Sequence, residues 1–161
     1  MIKHLPMKIR QQSLIDCLPH EVWPYVFSPE HFQKWNEKIV SMEVQGEFRL
    51  GHPFVTHYRW RQEQLQCLTQ VERIEPNRLL ELRHSSFVGS RVRSEMEVVE
   101  RVTLSRRGSR TRVTKTVAMR NHGLPWLLAP LLWIISRFGK PVGEDHLKEM
   151  CENRKQASRR G

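Results

Sequence analysis

The sequence predicts a single α+β domain: a curved antiparallel sheet of about seven strands, covered on one face, with two short helices after the first strand and an amphipathic helix near the C-terminus. Three observations predict it. Between residues 39 and 121, six segments of strand-like pattern follow one another, separated by short turns containing Gly, Pro or Asn. Connections of hairpin length leave no room for crossovers, so the strands run antiparallel. Beyond residue 141 the apolar spacing changes to the helical one. The 161 residues suit one domain of 1–161, ordered over about 7–156, and 39% hydrophobic with 27% charged residues marks a globular chain.

The elements follow in order. From Met7 to Cys17, Met7, Ile9, Gln11, Ser13 and Ile15 alternate with Lys8, Arg10, Gln12, Leu14 and Asp16, which is strand periodicity. Leu18-Pro19-His20-Glu21 turns the chain into a short helix reaching about Phe27, because proline at a first helical turn lacks only an N–H that would be unpaired there anyway. Ser28-Pro29-Glu30 starts a second short helix, a serine cap followed by proline, ending near Trp35. Strands are predicted over Ile39–Gln45, Pro53–Arg61, Leu65–Ile74, Leu79–Ser86, Arg91–Leu104 and Arg110–Asn121. Phe54, Thr56, Tyr58 and Trp60 share one parity, opposite Val55, His57, Arg59 and Arg61, so one face is apolar and the other wet.

Arg106-Arg107-Gly108-Ser109 reads as a two-residue hairpin turn, glycine supplying positive φ. That turn would set Val102 opposite Val113, Val98 opposite Val117 and Met96 opposite Met119, with Glu100 opposite Lys115 on the same apolar face. Leu124–Phe138 is dense in apolar residues, with Trp126, Trp133, Pro125 and Pro130, and reads as a kinked buried helix or a lid. It is too short and too proline-broken to span a bilayer. Val142, His146, Leu147, Met150 and Cys151 then form one stripe of a helix that should lie on the sheet.

The net charge of +10 is unevenly placed. Residues 1–10 carry +3, residues 101–120 carry +7 and residues 153–161 carry +4, none with an acidic partner, over a remainder of −4. Two basic tails and one basic hairpin suit contact with an anionic surface. The arginines lack interleaved aromatics for base stacking, which counts against sequence-specific nucleic-acid recognition. Three separated cysteines, Cys17, Cys67 and Cys151, argue against a disulfide framework and point to a reducing, cytoplasmic setting, with no apolar leader at the N-terminus. Eight histidines and three cysteines show no ligand spacing, and eight scattered glycines build no phosphate loop, so neither a metal nor a cofactor is expected.

The order of elements is that of the helix-grip fold, in which a curved sheet wraps around a C-terminal helix. Pro19-x-x-Val22-Trp23, Trp35 followed by Lys38-Ile39-Val40, Gly51, Pro76, and Leu147 with Glu152 resemble the START/SRPBCC superfamily, Bet v 1-like in fold, and within it the polyketide cyclase/dehydrase and lipid-transport group. The resemblance covers about residues 7–156 and implies an apolar cavity between sheet and C-terminal helix. It does not imply one activity, because that fold carries carriers, cyclases and regulatory modules.

Parity turns Tyr58, His84, Glu100 and Lys115 inward, and Glu100, Lys115 and His84 are the candidates for acid–base chemistry. Trp60, Phe87, Met96, Val98, Val117 and Met119 are candidate lining on the sheet, and His146, Leu147 and Met150 on the helix. Trp23 and Trp35 read as packing residues. The leading functional reading is binding or transport of a hydrophobic small molecule: a lipid, isoprenoid or polyketide-like ligand. The second is a cyclase or dehydratase using the inward acid–base groups. The third is a basic interaction module whose hairpin and tails bind ribosome, RNA or anionic membrane, the membrane contact running through Arg106, Arg107, Arg110, Arg112 and Leu124–Phe138.

Overall fold

The structure is a computed structural model that describes residues 7–60, 62–89, 94–121 and 144–161. Seven strands form one antiparallel sheet: β1 (Met7–Ile15), β2 (Ile39–Met42), β3 (Pro53–Trp60), β4 (Glu63–Glu75), β5 (Leu79–Val88), β6 (Glu97–Arg107) and β7 (Arg110–Arg120). Their order across the sheet is β1-β7-β6-β5-β4-β3-β2, so every neighbour except β1 against β7 is joined by a direct connection. Among the described residues three helices accompany it, α1 (Pro19–Phe27), α2 (Pro29–Trp35) and α3 (Glu144–Arg160). The Leu124–Phe138 segment, Val142 and the Trp60 side chain lie outside the described residues.

Local chemistry explains the boundaries. α1 opens on Pro19, and its Glu21 carboxylate accepts the Leu18 N–H at 2.6 Å, capping a donor the helix leaves free. Ser28 occupies the cap position of α2 as expected, yet its hydroxyl makes no capping bond, and extended backbone plus Pro29 start the helix instead. Pro76-Asn77 turns β4 into β5 with Asn77 at φ 61°, the left-handed position asparagine tolerates at the third residue of such a turn.

β2 and β6 depart most from the bounds the pattern suggested. β2 ends at Met42 rather than Gln45, and β6 begins at Glu97 rather than Arg91, after a turn at Ser94 and Glu95 that the Asn121 side chain holds through the Glu95 carbonyl at 3.2 Å. The last hairpin also differs. Its central residues are Gly108 and Ser109, with Arg107 opposite Arg110, so Val102 faces Lys115, Glu100 faces Val117 and Val98 faces Met119. The expected register is displaced by two residues, with the inward parity unchanged. Gly108, at φ 63°, decides it: the first central position takes the left-handed backbone, and only glycine adopts that without strain.

The inner face carries the core. Ile15, Leu80, Leu82, Val102, Leu104 and Val113 from the sheet meet Val22, Val26, Phe32 and Trp35 from α1 and α2, and Leu147 and Cys151 from α3, all buried. A G1-like bulge sits where Ser86 and Phe87 oppose Cys67, with Ser86 in left-handed backbone at φ 53°. The extra residue returns Phe87 to the inner face, where it is buried despite its odd number. α3 lies against β1, α1 and α2. Glu152 accepts the Asp16 N–H at 3.0 Å, and Lys155 donates to the Asp16 carbonyl at 2.8 Å.

Candidate functional site

Across the middle of the inner face runs a layer of buried polar side chains supplied by α2, β3, β4, β5, β6 and β7. Glu100 and Lys115 lie diagonally across the β6–β7 ladder, with Lys115 Nζ 2.9 Å from Glu100 Oε1, both side chains almost fully buried. Asn36, which ends α2, locks the pair by donating to Glu100 Oε1 at 3.2 Å and accepting from Lys115 Nζ at 2.7 Å. The ammonium also stands 5.3 Å from the Trp35 ring centroid, within cation–π range.

The second oxygen of Glu100 faces His84 Nε2 at 3.4 Å. His84 Nδ1 lies 2.8 Å from Thr69 Oγ1, which lies 2.7 Å from Thr56 Oγ1, and all three residues are buried to 1% exposure or less. Tyr58 reaches over β4 so that its hydroxyl stands 3.2 Å from His84 Nε2 and 3.4 Å from Nδ1, the two rings perpendicular. The layer is thus continuous from Asn36 to Thr56.

Electrostatics follow from that geometry. Burial alone would push the Glu100 carboxyl up, but the Lys115 ammonium, and hydrogen bonds from His84 and Lys115, hold it well below the usual carboxylate range. Burial, with Glu100 nearby, pushes the Tyr58 phenol well above its ordinary value, so it stays protonated. The Cys67 thiol is pushed up to about 11 by burial and is no ready nucleophile.

On one side of the layer the core is closed by the helices. On the other, the inner face continues as Val98, Val117 and Met119 with Met96 just before β6, and Met7 and Ile9 alongside on β1; all of these are half-buried. Of the sequence candidates, Tyr58, His84, Glu100 and Lys115 are brought into one cluster. Met96, Val98, Val117 and Met119 form the apolar stretch beside it. Phe87 and Leu147 are buried, and Met150 packs partly against the core. His146 departs from the expected inward stripe. Its ring is half exposed, and Nε2 contacts Glu37 Oε1 at 2.6 Å, because it falls one residue to the side of the Leu147–Cys151 line. Trp35 is packing, as read, and Trp23 is stacked on Phe27 at the surface of the core.

The sequence reading missed Asn36, Thr56 and Thr69 as members of the site. Thr56 and Thr69 carry the inward parity of their strands, so the signal was present. Asn36 carries none, since a residue ending a seven-residue helix gives no periodicity.

A family model described as polyketide cyclase / dehydrase and lipid transport matches residues 6–145. The chain belongs to that family. No curated protein matches the sequence. For this polyketide cyclase/dehydrase and lipid-transport member, solved structures agree in fold at low identity. A conserved protein from Geobacillus kaustophilus aligns with TM-score 0.70 at 12% identity, covering 91% of this chain and 96% of the other. Ara h 8.0201 aligns with TM-score 0.64 at 13% identity, over 92% and 99%. DynU16, a putative protein in the dynemicin biosynthetic locus, aligns with TM-score 0.58 at 20% identity, over 90% of this chain and 47% of its own. These likenesses establish the helix-grip, Bet v 1-like fold.

The basic hairpin and α3 both approach the C-terminal end of β1 in this family member. Ile15 pairs with Thr111, and Thr111 donates to the Cys17 carbonyl at 2.7 Å. Lys155 binds the adjacent Asp16, so this stretch of α3 lies near the same end as the hairpin, whose Arg106, Arg107, Arg110 and Arg112 are exposed, as are Arg159 and Arg160. Among the described residues no helix is long and apolar enough to cross a membrane, and no cluster of metal-ligating side chains occurs.

Proposed function

We propose that this protein binds and carries a hydrophobic small molecule on the inner face of its sheet, beside the polar layer. One observation carries the reading: apolar Met96, Val98, Val117 and Met119 remain half-buried on a face whose other rows are sealed by helices. Apolar contact there supplies affinity, while the polar groups fix orientation. Family membership supports the same class of ligand. Organic extraction of the purified protein followed by mass spectrometry is expected to release a hydrophobe, and N-phenyl-1-naphthylamine is expected to bind with enhanced fluorescence. A protein that leaves the probe dark overturns the reading.

The acid–base enzyme reading is less well supported. A carboxylate ion-paired with Lys115 and held low in pKa is a weak base, and a phenol held high is a weak acid.

A carrier of this kind must meet its source, and the clustered arginines support an anionic membrane in that role. Each basic group near such a surface contributes about 1 kcal/mol. Vesicles containing phosphatidylserine should bind the protein at low salt and release it as the Debye length contracts from about 10 Å at 0.1 M to about 3 Å at 1 M. The triple change Arg106→Gln, Arg107→Gln, Arg110→Gln should weaken that binding. Binding indifferent to salt or to the triple change would remove the hairpin from any docking role.

A further inference from the structure

Proton bookkeeping in the polar layer constrains the ligand beyond its being hydrophobic. Glu100 is ionised, and its Oε1 already takes Lys115 and Asn36. An unprotonated His84 Nε2 would aim a lone pair at Oε2 across 3.4 Å, so Nε2 is assigned the proton. Nδ1 then accepts from Thr69 at 2.8 Å, and Thr69 in turn accepts from Thr56 at 2.7 Å. Lys115 spends its donors on Glu100, on Asn36 and against the Trp35 ring. Among the described residues, the one ring nitrogen left to accept, Nδ1, therefore already holds the Thr69 proton. The Tyr58 oxygen, nearly equidistant from both ring nitrogens at 3.2 Å and 3.4 Å, lies off the line of the Nε2–H, and with Nδ1 taken its own O–H proton has no nitrogen acceptor in the layer.

Charge adds a second constraint. With His84 as the neutral tautomer just assigned, the glutamate and the lysine cancel, and the layer is net neutral with one hydroxyl donor to offer. A buried carboxylate or phosphate would find no uncompensated cation there, and burying an unpaired charge is costly.

We infer that the ligand is uncharged and places a carbonyl-type oxygen acceptor against the Tyr58 hydroxyl, its apolar body lying along Val98, Val117 and Met119. This rests on the binding reading above. Fatty-acid anions and phospholipid headgroups are thereby excluded from this part of the interior.

Three naphthalenes of nearly one shape test it by displacement of N-phenyl-1-naphthylamine from the full chain at neutral pH: 2-acetylnaphthalene, 2-naphthoate and 2-ethylnaphthalene. The ketone is expected to displace the probe at about tenfold lower concentration than the carboxylate, and at severalfold lower concentration than the ethyl compound. Tyr58→Phe should erase the ketone's advantage over the ethyl compound. Glu100→Gln, by leaving Lys115 uncancelled, should shift preference toward the carboxylate. Naphthoate binding as well as the ketone, no displacement by the ketone, or a ketone advantage that survives in Tyr58→Phe would each overturn the inference. Failure of the probe itself to bind would instead overturn the carrier reading. Should Tyr58→Phe fail to fold, the ranking on the unaltered protein decides alone.

Discussion

Lys115→Met is expected to destabilise the protein by about 3–5 kcal/mol, because it leaves an ionised glutamate buried with no countercharge. Glu100 and Lys115 are only 7% and 8% exposed at their side chains, so solvent offers little rescue. The double change Lys115→Met, Glu100→Gln removes both charges and keeps the Asn36 contact, and should recover most of the loss. Urea unfolding of the two single variants and the double variant measures this directly; losses that simply add would show the pair to be uncoupled.

The same pair sets an acid limit. The Glu100 carboxyl is held below its unfolded value, so as pH falls the unfolded chain takes up that proton first and stability declines. The contribution is complete above the ordinary glutamate value of about 4.3 and fades as the medium becomes more acidic than that. Glu100→Gln should therefore show a shallower loss of stability between about pH 5 and pH 2. An unchanged slope would mean that other carboxylates dominate.

Much of this was legible in the chain. Period-two alternation placed the strands, Pro19 and Pro29 placed the short helices, and parity alone turned Tyr58, His84, Glu100 and Lys115 inward. What was not legible arose from contacts between distant residues. Asn36 joins the layer because α2 ends above β6 and β7, a matter of packing angle. Phe87 points inward only because Ser86 adopts left-handed backbone, which serine rarely signals. His146 lies on the helix stripe by spacing, yet among the described residues of that stripe only Leu147 and Cys151 are fully buried in the core. In the last hairpin, the alternation fixed parity but left two registers equally apolar.

Trp35→Ala is the second large effect expected, again about 3–5 kcal/mol. The indole is fully buried, packs edge-on against Phe32 at 4.8 Å between centroids and donates its N–H to the Tyr25 carbonyl at 3.0 Å. Removing it leaves a cavity between α1, α2 and the sheet and strips Lys115 of its ring. For a domain of this size the melting temperature should fall on the order of 10 °C. Trp35→Phe keeps part of the volume but not the hydrogen bond, and should fall between. A melting temperature for Trp35→Ala within a degree or so of the parent would show that the helix pair is held by other means.

The diagonal placement of Glu100 and Lys115 bears on how the chain chooses one structure. The hairpin displaced by two residues would still match valine with valine and methionine with methionine, so oily contacts alone do not discriminate against it. It would force an arginine into the left-handed turn position and carry Lys115 about 7 Å along its strand. There it would lose the Asn36 oxygen at 2.7 Å and the Trp35 ring at 5.3 Å. The buried charges thus act as a key cut for one lock: they add little net cohesion, and they make a near-degenerate alternative energetically distinct.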